Sequence, residues 1–214
     1  GKKESKDSAT FEYDRIDPAA WSNEAIRMAS QNGHVEVVKL LLRKKESEDA
    51  AKFGYDKIDP AAGNNEAIIE ASKNKHDAVV QLLLEKKEYE DATKFGYDKI
   101  DPAADGNYAI RWASYYGRIE VVKLLLAKKE REDAAKFGYD KIDPAAGNNY
   151  TTRWASRCGH TEVVKLLLEK KESKDADKFG YEKIDPADDK NFAMKFASES
   201  GHVEMVKLRL PKKE

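Results

Sequence analysis

The sequence is short of most things that catalysis, secretion or membrane insertion would need. A single cysteine, Cys158, cannot close an internal bridge, so a disulfide framework is excluded and a reducing compartment, the cytoplasm, is expected. No apolar run approaches the roughly twenty residues that cross a bilayer, and no signal-peptide core follows the charged start Gly1-Lys2-Lys3-Glu4. Neither sign of charge dominates: 39 basic residues face 40 acidic ones, a formal net charge of -1. A balanced chain sets up no net positive field toward phosphates, which argues against nucleic-acid and membrane partners. No glycine-rich phosphate loop is present, and no stretch alternates carboxylates at the spacing of a calcium loop.

What the chain has instead is repetition. Asp-Pro recurs at Asp17, Asp59, Asp101, Asp143 and Asp185, a step of 42 residues. Phe11, Phe53, Phe95, Phe137 and Phe179 keep the same phase, as do Asn23, Asn65, Asn107, Asn149 and Asn191. A fixed period of this size marks stacked supersecondary units, each burying its apolar side only against its neighbours. We therefore expect one array over residues 1–214: a partial unit at 1–16, full units at 17–58, 59–100, 101–142 and 143–184, and a partial unit at 185–214.

Within a unit the pattern predicts two short helices. Asn23 precedes Glu24-Ala25-Ile26-Arg27-Met28-Ala29-Ser30 and is placed to cap that helix through its side chain. Gly33 then ends it, and Val37, Val38, Leu41 and Leu42 form the apolar stripe of a second helix. Between this helix and the next Asp-Pro, two readings stay open: an extension of the second helix, or a separate short helix, begun at Ser47 and closed by Gly54. In either case Phe53, Tyr55 and Ile58 and their equivalents are expected to stack from unit to unit as a second, smaller core. At the chain ends, Glu12 in a glycine phase and Arg209 within the last leucine run are expected to act as capping adjustments.

The run Gly-His-x-Glu-Val-Val-Lys-Leu-Leu-Leu, seen at Gly33 to Leu42 and Gly159 to Leu168 and altered at Gly201 to Leu210, resembles the two-helix core of an ankyrin repeat. Asn149 to Ser156 and its equivalents supply the preceding helix, with Ala-Ser where the family has Ala-Ala. The family's Thr-Pro-Leu-His opening is absent, and its period of about 33 residues is exceeded by roughly nine in the connection between units. A tetratricopeptide array would also give helix pairs, but its Trp-Leu-Gly-Tyr-Ala pattern does not occur. The resemblance implies an all-α, ankyrin-like solenoid with long ordered loops between repeats, and partner binding on the concave side lined by first helices and loops.

No catalytic, metal or cofactor site is expected. His34, His76, His160 and His202 share one phase, with Arg118 in the third unit, and are read as backbone-bonded residues of the inter-helix turn. Arg157 and His160 flank Cys158, an arrangement that would lower a thiol pKa, yet no orienting group or oxyanion site accompanies it. Lys75 fills the phase of Gly33, Gly117, Gly159 and Gly201 and must either turn left-handed or change the turn.

Comparison of the units isolates a variable set on the first helix, at phases that take Glu, Arg, Ile, Tyr, Trp or Phe and are therefore expected to be at least partly exposed. The middle units place Tyr108, Arg111, Trp112, Tyr115, Tyr116, Tyr150, Arg153, Trp154 and Arg157 there, types that dominate binding hot spots. Two roles stay open for them. They form a protein- or peptide-binding face of a monomeric, soluble scaffold, or the tryptophans cover the seam between first helices while Arg111 and Arg153 pair with acids. The near-identical Lys-Phe-Gly-Tyr-Asp-Lys-Ile-Asp-Pro-Ala loops fit a further alternative, a designed scaffold that displays stacked loops and has no natural ligand.

Overall fold

The computed structural model describes residues 17, 19–44, 58–85, 90, 98–185 and 187–209. Phe11, Glu12, Ser47, Phe53, Gly54, Tyr55 and Phe95 lie outside the described residues, as does the side chain of Arg209. Every regular element among the described residues is helical. The first helices of successive units are α1 (Ala20–Gln31), α3 (Ala62–Lys73), α5 (Ala104–Tyr115), α8 (Ala146–Arg157) and α11 (Asp188–Glu199). Their antiparallel partners are α2 (Val35–Lys44), α4 (Asp77–Leu83), α6 (Ile119–Lys129), α9 (Thr161–Lys171) and α12 (Val203–Arg209). Each first helix lies against the first helix of the next unit, and each second helix against the next second helix, so the pairs stack as a helical solenoid.

The second helices follow from their sequence directly. An acid stands in the first turn of each, Glu36, Asp77, Glu120, Glu162 and Glu204, where the helix dipole favours negative charge. Lysines 128, 129, 170 and 171 close the last turns of α6 and α9 with the opposite sign. Val79, Val80, Leu83, Val121, Val122, Leu125, Val163, Val164 and Leu167 are buried on the core face. Val37, in the same phase but with no described unit before it, is 46% exposed.

The connection between units is ordered in the two copies that are described, the second apart from Pro186. After α6 the chain forms a short helix, α7 (Ala134–Phe137), closed by Gly138 at φ 85°, then a 3-10 turn over Tyr139–Lys141. The next unit repeats this with α10 (Ala176–Phe179), Gly180 at φ 71° and a 3-10 turn over Tyr181–Lys183. The connection is thus a separate short helix ended by glycine, after a second helix that already runs to Lys129 or Lys171. Phe137, Tyr139 and Ile142 are buried, and the Tyr139 hydroxyl donates to the Leu84 carbonyl of the unit before at 2.9 Å. These side chains do not form a second core. They join the one that runs between the helix pairs, because the loop folds back over the ends of the second helices.

The start of the first helix differs from its expected capped form. Residues 21–23, 63–65, 105–107 and 147–149 each make a left-handed turn, with φ between 55° and 68°, before the right-handed helix begins. Glycine, asparagine and aspartate tolerate this region best, and they supply every position of the three inner turns. The asparagine side chain does not cap its own helix. It turns outward to the next unit, where Asp59 N–H donates to Asn23 Oδ1 at 2.8 Å, Asp101 to Asn65 at 2.7 Å, Asp143 to Asn107 at 2.7 Å and Asp185 to Asn149 at 3.0 Å. The aspartate carboxylate meanwhile accepts from the N–H two residues on, as in Ala61 to Asp59 Oδ1 at 2.8 Å, bracing the turn around proline.

The histidine row is a second stitch, and it runs in the reverse direction. Nε2 of His76, His160 and His202 donates to the carbonyls of Gln31, Tyr115 and Arg157, each at the inter-helix turn of the preceding unit. Arg118 makes the equivalent bond through Nε to the Lys73 carbonyl at 3.1 Å. The imidazole lies so near the glycine before it that a Cβ on Gly117 would stand 2.5 Å from His160 Nδ1, and one on Gly159 2.8 Å from His202. Glycine is therefore required twice over, for its φ of 67° or 76° and for the space its missing side chain leaves. Lys75 does turn left-handed, at φ 68°, and the unit after it carries Arg118 instead of histidine. The two departures are one exchange, since a ring at 118 would meet the Cβ of residue 75.

Two outcomes follow from this stitch. Lys75→Gly should stabilise the chain by about 1 kcal/mol in denaturant melts. Arg118→His should be destabilising beside Lys75 and tolerated beside Lys75→Gly, a coupling of roughly 1–3 kcal/mol in a double-mutant cycle. Burial holds the His160 pKa below its ordinary value, outweighing the Tyr115 carbonyl that favours the charged ring. A depressed folded pKa means the unfolded chain binds the proton first, so stability is fully present above the ordinary value of 6.5 and falls as pH drops below it. Melting temperature should decline from pH 7 to pH 5, and less so in His160→Arg, where the permanent cation can bond the Tyr115 carbonyl as Arg118 bonds that of Lys73.

Candidate functional site

The nine residues singled out on the first helices come together as one band across α5 and α8. Each first helix shows a similar face, since the units repeat, and the side chains of neighbouring units meet across the seam. Trp112 stacks on Tyr116 with centroids 5.8 Å apart and meets Tyr115 edge-on at 5.6 Å; Tyr115 and Tyr116 are 4.8 Å apart. Across the seam Tyr115 lies 5.7 Å from Trp154, which also packs on Tyr150 at 5.5 Å. Tyr108 reaches Trp112 at 6.3 Å. Tyr108 and Tyr116 are exposed, whereas Trp112, Tyr115, Tyr150 and Trp154 are half-buried.

Arginines thread through the rings. The Arg111 guanidinium lies 4.1 Å from the Tyr150 ring centre in the next unit and 5.0 Å from Tyr108 in its own. Arg153 lies 4.0 Å over Phe192, and Arg157 covers Trp154 at 4.6 Å and Phe196 at 4.8 Å. Arg111 and Arg157 thus meet rings and, among the described residues, no carboxylate, in contrast to Arg27, whose guanidinium meets Glu66 at 2.5 Å in the first two units. The seam phases are the same in both cases. An arginine at the fourth residue of the right-handed stretch of one first helix faces the first residue of that stretch in the next, whether that residue is Glu66, Tyr150 or Phe192. Burial raises the Tyr150 phenol pKa, opposed by Arg111, so this ring stays neutral beside its cation.

The same phases also yield a correction. Ile69 stands where Arg111 and Arg153 do and is buried, not partly exposed, because an apolar side chain at this seam closes against its neighbours instead of reaching over them. Four residues outside the sequence-based set join the band: Phe192 and Phe196, 4.1 Å apart, Arg118, 5.7 Å from the Tyr116 ring, and Lys73, 6.0 Å from Trp112. Phe192 and Phe196 share phases with Tyr150 and Trp154, a signal that repetition alone carries.

Chemistry of other kinds finds little support. Among the described residues, no three His, Cys, Asp or Glu side chains gather where they could hold a metal ion. Burial pushes the Cys158 thiol up, outweighing the nearby Arg157, so it is not activated as its neighbours in sequence would have it. Among the described residues no helix is long and apolar enough to cross a membrane.

No curated protein matches the chain. The family described as Ankyrin repeats (3 copies) matches residues 10–95, 69–178 and 112–213. Its members are in general protein–protein interaction modules and not enzymes. These overlapping stretches run from residue 10 to residue 213, over the stacked helix pairs and their glycine-histidine turns, and the chain belongs to the ankyrin repeat family.

Proposed function

We propose that the chain is a single array, with full units at 17–58, 59–100, 101–142 and 143–184, that works as a non-enzymatic cytoplasmic scaffold and holds a protein or peptide on the band of α5 and α8. The observation that carries this is the exposed Tyr108 and Tyr116 set on half-buried Trp112, Tyr115 and Trp154. Rings fixed in place by one another lose little further freedom on binding, and Tyr, Trp and Arg are the anchors that interfaces most often use. On the family's pattern this side is the concave one, and a monomer leaves it open.

A second role has its own support. Arg111 on Tyr150 and Arg153 on Phe192 tie one unit to the next, which is what a scaffold without a ligand would also need. The two differ at Tyr116, which is exposed and bridges no seam. A peptide-display library panned against the chain should yield binders whose affinity falls at least about tenfold in Tyr116→Ala, at a nearly unchanged melting temperature. Binders indifferent to this change, or a large loss of stability with it, would assign Tyr116 to the fold.

A further inference from the structure

One lysine is set apart from the other cations of the second helices. Lys39, Lys123, Lys165 and Lys207 each meet the glutamate three residues before, at 2.7 or 2.8 Å. Lys129, in the last turn of α6, is only 6% exposed, yet no carboxylate among the described residues comes within ion-pair distance of it. The acids nearest in sequence are engaged elsewhere, Glu130 by Lys170 at 2.7 Å and Asp133 by Arg131 at 3.1 Å. What buries Lys129 is the connection after α9, whose glycine and 3-10 turn reach the end of α6. The amine lies 4.9 Å from the Tyr181 ring centre, and a Cβ on Gly180 would stand 3.8 Å from it. Lys171 repeats the phase one unit on, inside the same Lys-Lys-Glu, but no described connection lies over it and it is half-buried.

Lys129 also lines a cavity of about 380 Å³, with Phe179 and Gly180 on its wall. The rest of the wall sets Asp140, Asp143, Asp177 and Glu182 against Lys178 and Lys183. An ammonium taken out of water without a counterion gives up its proton more readily. Burial accordingly lowers the Lys129 pKa, opposed by Asp143 and Glu182, which stand too far off to pair with it. A single ring face replaces only part of the hydration that is lost. The result is a nucleophilic nitrogen beside space enough for a small molecule. The wall then selects the ligand. Four carboxylates against two lysines repel an anion, and a cation would sit on the exposed acids and leave the amine unused. The complement of an uncharged amine is an electrophilic carbon.

We infer that Lys129 is a covalent capture site for small uncharged aldehydes, held as a reversible imine in the cavity between the last two connections. The nitrogen lone pair forms the C–N bond as the carbonyl π pair moves to oxygen. Both amine hydrogens then leave with that oxygen as water, and the remaining nitrogen pair closes the C=N bond. Phe179 offers an aryl substituent an apolar wall.

The probe is benzaldehyde at limiting concentration with cyanoborohydride, which reduces each imine to a stable benzylamine that peptide mapping by mass spectrometry locates. On the folded chain at neutral pH, Lys129 should be labelled at least about tenfold faster than Lys171. In guanidinium chloride the two rates should converge, because the local sequences are nearly the same. A carboxylate-bearing benzaldehyde should show no preference for Lys129, and Asp140→Asn with Glu182→Gln, both at exposed positions, should give it one. Labelling of Lys171 as fast as Lys129 in the folded chain, or a preference that survives unfolding, overturns the inference. Equal selectivity with the charged aldehyde, or no gain for it in the double variant, overturns the assignment of an uncharged ligand.

Discussion

One bond holds the rest in place: the buried asparagine that ends each left-handed turn accepts the backbone N–H of the aspartate opening the next unit. Asn65 to Asp101 is representative, a link of 2.7 Å between residues 36 apart. It fixes where the next first helix starts and therefore which side chains face each other across the seam. Only with that register does Arg111 fall on Tyr150 and Tyr115 on Trp154. The asparagine can serve because its own backbone is left-handed, a conformation this residue type adopts at small cost. Alanine there would strain the turn and leave a half-buried N–H without its acceptor, two penalties at one position.

The histidine stitch acts from the other end of the helix and makes the array tolerant rather than rigid in sequence. His160 and Arg118 reach equivalent carbonyls with different groups, one neutral when buried and one always charged. What constrains them is the residue behind: glycine where the ring lies flat, and lysine where the slimmer guanidinium stem passes. Variation inside the chain is thus correlated between neighbouring units, at positions 43 residues apart, not within one.

Much of this was legible in the sequence because translation along the array converts phase into environment. Val79, Val121 and Val163 share a phase and a buried setting, and Ile58, Ile100 and Ile142 do likewise. The ankyrin-like helix pair and its glycine turn followed from local rules, which left Lys75 either left-handed or in a changed turn. What could not be read depended on partners in the next unit. Asn23 looks like a cap for the helix it precedes, because a sequence shows the orphan N–H groups nearby but not the Asp59 N–H that competes for its oxygen. Arg111 looks ready for an acid, because charge is visible in a sequence while the ring opposite is not. Ile69 looked exposed because its phase mates are polar, although an aliphatic side chain settles in a seam that a guanidinium only bridges.

The direction of these links has an effect on how such a chain can change. Every asparagine bond reaches forward by one unit and every histidine bond back by one, so no described link of either kind skips over a neighbour. Duplication or loss of a whole 42-residue block leaves each surviving copy with an intact partner before and behind it. Array length is consequently free to drift by gene-level copying while local chemistry stays constant, and an aromatic, arginine-rich segment can be widened or narrowed without redesigning its supports.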